Sequence, residues 1–483
     1  MADIKLEEKP AGRRWRVGTL TYTQGQLVNV FFWLLWGDFC LNVMEQVIPR
    51  LVPLQLGKLG ASNALIAVLT VSIFSAMNWV MNPVISTWSD RHRGPRGRRI
   101  PFMLWPTPAL AFFVIMVGFA TNVGGYILHR WPGAAEGMRH GFVFVLRGTG
   151  GLPPAAQMGI GMIAVALVLY KFFDEFPQCV YYYIWADVIP KEVMGRFTSY
   201  FRVVAALGGM AFNQWVVGYA DTYPQAVYLG CGLLYLFAFL LMSMIVKEGE
   251  YPPPPEKQGD VGKTVWVWVK ECYGNLYYWK FYAVYSCFRW VWMPFNALLI
   301  VYAEKGVGMT AKEFGKKMVW AQGAQVVIFM LAGPIVDRFH PVRVGVAGFA
   351  AMMVAGVLGF FFTTGPMWFG VWVVVAFAAI ALYQGSLVSL GPVLLPRARY
   401  GQFCAATMMV VESGVMVLSW VCGRVMDVMG DRYLWMWMAG CSGLGVLATM
   451  VLYRAWRSEG GDLNYVAPGG FDTEIPCVVK ATQ

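Results

Sequence analysis

Apolar runs of about 20 residues recur along the whole chain, each long enough to cross a hydrocarbon layer roughly 30 Å thick. No water reaches backbone N–H and C=O groups at that depth, so each run has to satisfy its own hydrogen bonds. A helix does this within one segment. A β-barrel would need alternating segments of about ten residues, and none recur here. With 58% of its 483 residues hydrophobic and 13% charged, the chain falls outside the statistics of soluble domains. It reads as an all-α membrane protein with twelve transmembrane helices. The spans are I 25–48, II 61–88, III 100–122, IV 157–187, V 197–220, VI 224–247, VII 279–303, VIII 313–336, IX 342–363, X 367–395, XI 401–425 and XII 432–456.

The segment 248–278 opens EGEYPPPPEKQGD, a proline run that cannot continue a helix, and divides the spans into two six-helix halves, 25–247 and 279–456. Trp266 to Val269 within it form an interfacial turn or pack. Segments 1–24 and 457–483 are polar ends, and 123–156 is expected to be a glycine-rich outer loop. A net charge of +11 is no sign of nucleic acid, because the Lys and Arg residues concentrate on alternate connections. That bias orients a multi-pass protein of the cell (inner or plasma) membrane with both termini in the cytoplasm. The N-terminus lacks an apolar stretch and is no cleavable signal. The nine cysteines are scattered and the four histidines form no cluster, so no metal site or cofactor is expected. No phosphate-binding Walker loop is present. The expected partners are a small-molecule solute and the lipid bilayer, with the chain a monomer.

Between spans II and III lies SDRHRGPRGRRIPF, with Arg91, Arg93, Arg96, Arg98 and Arg99 beside one acid, Asp90. Gly94 and Gly97 permit a tight turn. PVISTWSDR, ending in Asp90 and Arg91, has a shorter echo in PIVDR, ending in Asp337 and Arg338. Both follow the second span of their half, as related halves of a transporter would place them. We read Asp90, Arg91, Gly97, Arg98, Arg99, Asp337 and Arg338 as a conformational gate. In composition and place this loop resembles the signature loop of the major facilitator superfamily.

Charges at membrane depth cost about 2.5 kcal/mol or more each and are functional candidates by default. Asp38 lies mid-span in I, with Glu45 two turns further on. Lys171 stands three and four residues before Asp174 and Glu175 in span IV, a spacing that places all three on one face. Arg202 lies in span V, Arg289 in VII and Glu412 in XI. Arg424, with Asp427 and Asp431, reads as a wet interfacial cluster near an outer end.

The N-terminal half resembles, more closely, the melibiose-permease family of glycoside–pentoside–hexuronide cation symporters, and sucrose transporters more distantly. The resemblance rests on Asp38 after Gly37, on Glu175 before Phe176 and Pro177, and on SYFRVVAALGG around Arg202. It implies that Asp38, Glu175 and Arg202 recognise a sugar; independently of the resemblance, Trp36 and Trp79 lead the aromatic residues of the spans as surfaces that could stack on a sugar ring. Two departures stand out. Where that family has acids in span II this chain has Asn78 and Asn82, and where it has a lysine in span XI this chain has Glu412. Lys171, Asp174, Arg289, Glu412, Asn78 and Asn82 are therefore the coupling-ion candidates, with H⁺ favoured over Na⁺. The expected function is cation-coupled symport of a small polar solute, a sugar or glycoside, by alternating access, not catalysis. A lysolipid transporter of the same fold and a non-transporting sensor or scaffold are the alternatives.

Overall fold

The computed structural model describes residues 14–251, 261–396, 399–461 and 465–469. A short hairpin, β1 (Trp15–Val17) and β2 (Leu20–Tyr22), precedes α1 (Gln24–Lys58). Then come α2 (Asn63–Ala67) and α3 (Ile73–Arg91), joined through a π turn at Val68–Ser72. α4 (Ile100–Leu104) leads into α5 (Pro106–Arg130), followed by α6 (Pro132–Val145), α7 (Pro154–Val188), α8 (Lys191–Ala211) and α9 (Pro224–Ile245). After α10 (Val261–Tyr273) the second half runs α11 (Leu276–Val301), α12 (Ala311–Phe339), α13 (Pro341–Phe362), α14 (Pro366–Leu394), α15 (Tyr400–Met429) and α16 (Tyr433–Ser458).

Among the described residues, eleven helical segments are long and apolar enough to cross a membrane. The twelfth span, α8 with the π turn Phe212–Val216 that extends it, carries Glu192, Arg196 and Arg202 and is less apolar for that reason. The spans alternate in direction, so the described ends of the chain lie on one face of the bundle. We call it the terminal face, and its opposite the far face.

Capping fixes where helices begin. Thr23 and Gln26 exchange side chain–backbone hydrogen bonds at the start of α1, and Thr310 and Glu313 do so at the start of α12. Small residues let the helices approach. A Cβ on Gly356 of α13 would stand 2.7 Å from the Ala439 nitrogen of α16, so only a glycine fits that crossing.

Three elements depart from the sequence reading. The stretch 123–156 is not a loop. α5 continues to Arg130 and α6 starts at Pro132, a residue already shaped for the first helical turn. The linker is not irregular throughout, because α10 occupies part of it, and α11 starts at Leu276. Span I does not stop at 48; α1 runs through Pro49 and Pro53 to Lys58. Packed neighbouring helices tolerate such prolines. Arg50 therefore sits inside a span.

Candidate functional site

A cavity of about 730 Å³ lies between the two halves. α1 supplies Asn42, Gln46 and Arg50 to its wall. With Asp38, these form a polar ladder at four-residue spacing along one helix face. α8 contributes Thr198, Phe201 and Arg202, and α7 contributes Tyr182 and Trp185. From the second half come Trp292 and Asn296 of α11, Gln322, Gln325 and Phe329 of α12, and Phe377 of α14.

The far end is closed by contacts that cross between the halves. Arg50 is 1% exposed and donates from Nη1 to the Asn296 carbonyl and from Nη2 to its Oδ1, both at 2.9 Å. Asp427, at the end of α15, accepts the backbone N–H groups of Asn63 (2.7 Å) and Ala64 (3.0 Å), the first residues of α2. Asp431 accepts from Asn63 Nδ2 at 2.7 Å. The mirror arrangement joins the other pair of helices. Asp221, beyond the turns that follow α8, accepts the Ala311 N–H at the start of α12 (3.1 Å) and pairs with Lys58 (3.0 Å). A carboxylate of each half thus sits on a helix N-terminus of the other, where the dipole and free N–H groups favour negative charge. Glycines make room for it. A Cβ on Gly423 would fall 2.5 Å from the Asn63 carbonyl oxygen, and one on Gly315 would fall 2.2 Å from that of Asn213.

Behind the cavity wall lies a sealed layer of charge. Lys171 Nζ stands 3.1 Å from Asp174 and 2.7 Å from Glu175, and the three residues are 9%, 5% and 1% exposed. Glu45 accepts from Gln178 of α7 at 3.1 Å. Asp38 is fully buried and accepts from Asn42 Nδ2 at 2.9 Å; its Oδ2 has no partner among the described residues. In the second half Arg289 Nη2 donates to Glu412 Oε1 at 2.7 Å.

The structure therefore sorts the predicted residues into separate places. Lys171, Asp174 and Glu175 come together as their spacing requires, and Arg289 meets Glu412. Arg202 does not join them. It faces the cavity with its guanidinium over the Phe329 ring at 4.6 Å. Asp38, Glu175, Trp36 and Trp79 are not among the described cavity residues. Trp36 stacks on Phe39, and Trp79 is 42% exposed. Asn82 reaches the layer through Cys179, whose Sγ lies 3.3 Å from Asn82 Oδ1; Asn78 is 3.5 Å away from Asn82. The aromatics that do line the cavity include Tyr182, Trp185, Trp292 and Phe377. Arg50 was missed because Pro49 and Pro53, on either side of it, mark a helix end. The polar ladder Asp38, Asn42, Gln46, Arg50 is the signal that reveals it.

Of the residues read as a gate, Asp90, Gly97, Arg98 and Arg99 lie in a network within the first half, on the terminal face. Arg98 pairs with Asp187 at the end of α7 (2.6 Å), and Arg99 pairs with Asp90 and Ser89. Glu248 accepts the backbone N–H groups of Arg98 (3.0 Å), Arg99 (2.8 Å) and Ile100 (2.6 Å), capping the start of α4. Tyr251 donates to Glu248 at 2.8 Å, and burial together with that carboxylate pushes its hydroxyl above the usual tyrosine range. Gly97 has φ +96°, and a Cβ there would stand 2.6 Å from the Glu248 side chain. Arg91 is exposed, as is Arg338, which lies over the Phe339 ring; the Asp337 side chain lies outside the described residues.

The sequence matches no protein-family model and no curated protein. Solved structures do match in fold. A bacterial homologue of the human lysosomal transporter Spinster, inward-facing and occupied, aligns with a TM-score of 0.65 at 13% identity over 93% of this chain and 100% of that one. The nucleoside transporter NupG gives 0.57 at 12% over 89% and 100%. The inward-open xylose transporter XylE from E. coli gives 0.56 at 14% over 89% and 95%. This is a multi-pass membrane protein with the all-α major facilitator fold.

Proposed function

We propose that the chain is a secondary transporter that binds a small polar solute in the cavity between its halves and moves it by alternating access. The observation that carries this reading is a cavity walled by both halves and sealed at one end by contacts between them. Breaking those contacts and closing the terminal end would expose the same residues to the other side. Similarity to solved transporters supports the reading, since membrane transport of a solute is common to those neighbours. The positive-inside bias places the terminal face in the cytoplasm of a cell membrane, which makes this conformation inward-facing.

Ion coupling belongs to the sealed layer. In the first half Asp38, Glu45, Asp174 and Glu175 stand with the cation Lys171 at membrane depth, four acids to one base. A bound proton or Na⁺ supplies further positive charge. H⁺ is favoured, because Asn78 and Asn82 bring oxygen ligands without charge. The resemblance to melibiose permeases points to a sugar or glycoside as solute.

Proteoliposomes test the reading. Solute counterflow is expected for the wild type, a pH gradient is expected to drive accumulation, and Glu175→Gln is expected to abolish accumulation. Accumulation driven by Na⁺ alone at fixed pH removes the H⁺ assignment, and unchanged accumulation in Glu175→Gln removes the coupling site. Amphiphile transport is a second reading, favoured by α12, whose apolar stretch is the least buried of the eleven while the helix also lines the cavity. Competition by lysolipid and not by polar solutes would select it.

A further inference from the structure

The cavity has one sign of charge. Two guanidiniums, Arg50 and Arg202, are part of its wall, and no carboxylate is among the described lining residues. The described acids of the first half at this depth all lie behind that wall. Asp174 and Glu175 are held by Lys171, Glu45 by Gln178 and Asp38 by Asn42. Among the described residues, neither guanidinium forms an ion pair with a carboxylate. Arg50 has already committed both Nη groups to Asn296. Arg202 has not. It rests on the Phe329 ring, open to the cavity, without an acidic partner among the described residues.

A cation in such a place carries a cost of about 2.5 kcal/mol or more in a fully apolar setting. Cavity water lowers that cost but provides no counter-charge. Low-dielectric walls focus the field of both guanidiniums into the cavity, which raises the local concentration of anions. The remainder of the wall is neutral: amides such as Gln46, Gln322 and Gln325, aromatic rings such as Trp185, Trp292 and Phe377, the Thr198 hydroxyl, and small or aliphatic side chains such as Val203, Ala205 and Met330.

We propose that the transported solute is an organic monoanion, a carboxylate on a ring-sized body. Arg202 pairs with the carboxylate through its planar two-pronged donor set. The aromatic rings flank the body and the amides take its hydroxyl groups. One charge is expected, because only one of the two guanidiniums is uncommitted. Arg50 contributes field from the closed end. This rests on the transport reading above. It departs from recognition of a neutral sugar by Asp38 and Glu175, since neither is among the described cavity residues.

The test uses the full chain, purified and reconstituted, with matched pairs that differ only in charge: 4-hydroxybenzoate against 4-hydroxybenzamide, and shikimate against its methyl ester. Binding is read by calorimetry and movement by counterflow. At least one carboxylate is expected to bind about tenfold more tightly than its neutral partner, the span of one ion-paired hydrogen bond. Arg202→Gln is expected to erase that preference, and Arg202→Lys to keep part of it. The wild-type comparison needs no variant, so a poorly folding substitution leaves the proposal open to refutation. Equal binding of charged and neutral partners, or a preference that survives in Arg202→Gln, overturns the anion assignment and leaves transport intact. If no member of either set nor any neutral sugar is bound or moved, both readings fall.

Discussion

The two ends of the bundle use the same device to opposite purpose. At the far face, Asp427 and Asp221 place carboxylates on helix N-termini of the other half, so the contact joins the halves. At the terminal face, Glu248 places a carboxylate on the start of α4 within its own half, and Arg98 and Arg99 bind Asp187 and Asp90 there too. Among the described residues, the hydrogen bonds that cross between the halves all lie from the cavity toward the far end. A capping carboxylate is therefore a hinge lock or an internal brace depending on which half owns the helix it caps. The structure is locked at one end and braced at the other.

The largest way to break the far lock is steric. Gly315→Leu would drive a side chain into the Asn213 carbonyl, and overpacking of this kind costs about 1–3 kcal/mol or more. We expect it to hold the far end apart, read as increased alkylation of a cysteine introduced by Ala64→Cys, a far-end position that is 7% exposed in this closed arrangement. Unchanged alkylation would mean that the far face does not depend on this close approach. The electrostatic version is gentler. Asp427→Asn keeps the shape but removes the charge from two N–H bonds, at about 2 kcal/mol, or about 30-fold in the closed–open ratio. Combined with Asp221→Asn, the effects should add, because the two carboxylates serve different helix pairs. Spin-label distances across the far face would show it.

The terminal brace should behave differently. Gly97→Ala forces a side chain into φ +96° beside Glu248, costing about 1–3 kcal/mol. It should lower the melting temperature without changing far-face distances in this conformation. Glu248→Gln, which keeps the acceptor oxygen and loses the charge, should cost about 1 kcal/mol in the same assay. A shift in far-face distances in either variant would break the distinction between lock and brace.

Some of the site was legible in the sequence for a simple reason. Lys171, Asp174 and Glu175 lie within one helical turn, and a helix places residues three and four apart on one face whatever surrounds it. The pairing of Arg289 with Glu412 needed tertiary structure, since they sit on α11 and α15. So did the separation of Arg202 from Glu175, which the family resemblance had grouped as one sugar site. Both are charged and at membrane depth, but only Arg202 looks into the cavity. Asp427 and Asp431 read as a wet interfacial cluster because their partners, Asn63 and Ala64, lie in the other half of the chain. Arg50 was hidden behind Pro49 and Pro53, whose local message is to stop a helix. Neighbouring helices overrode it.

What the sequence alone determined is what depends on composition and local spacing. Apolar runs that must satisfy their own backbone in lipid dictate a helical bundle, and helical periodicity dictates which charges share a face. What tertiary structure decided is which side of a helix meets the cavity, which half each carboxylate caps, and which end is closed. Those depend on how helices far apart in sequence are rotated against one another, and that rotation is set by close approaches at residues such as Gly315 and Gly423.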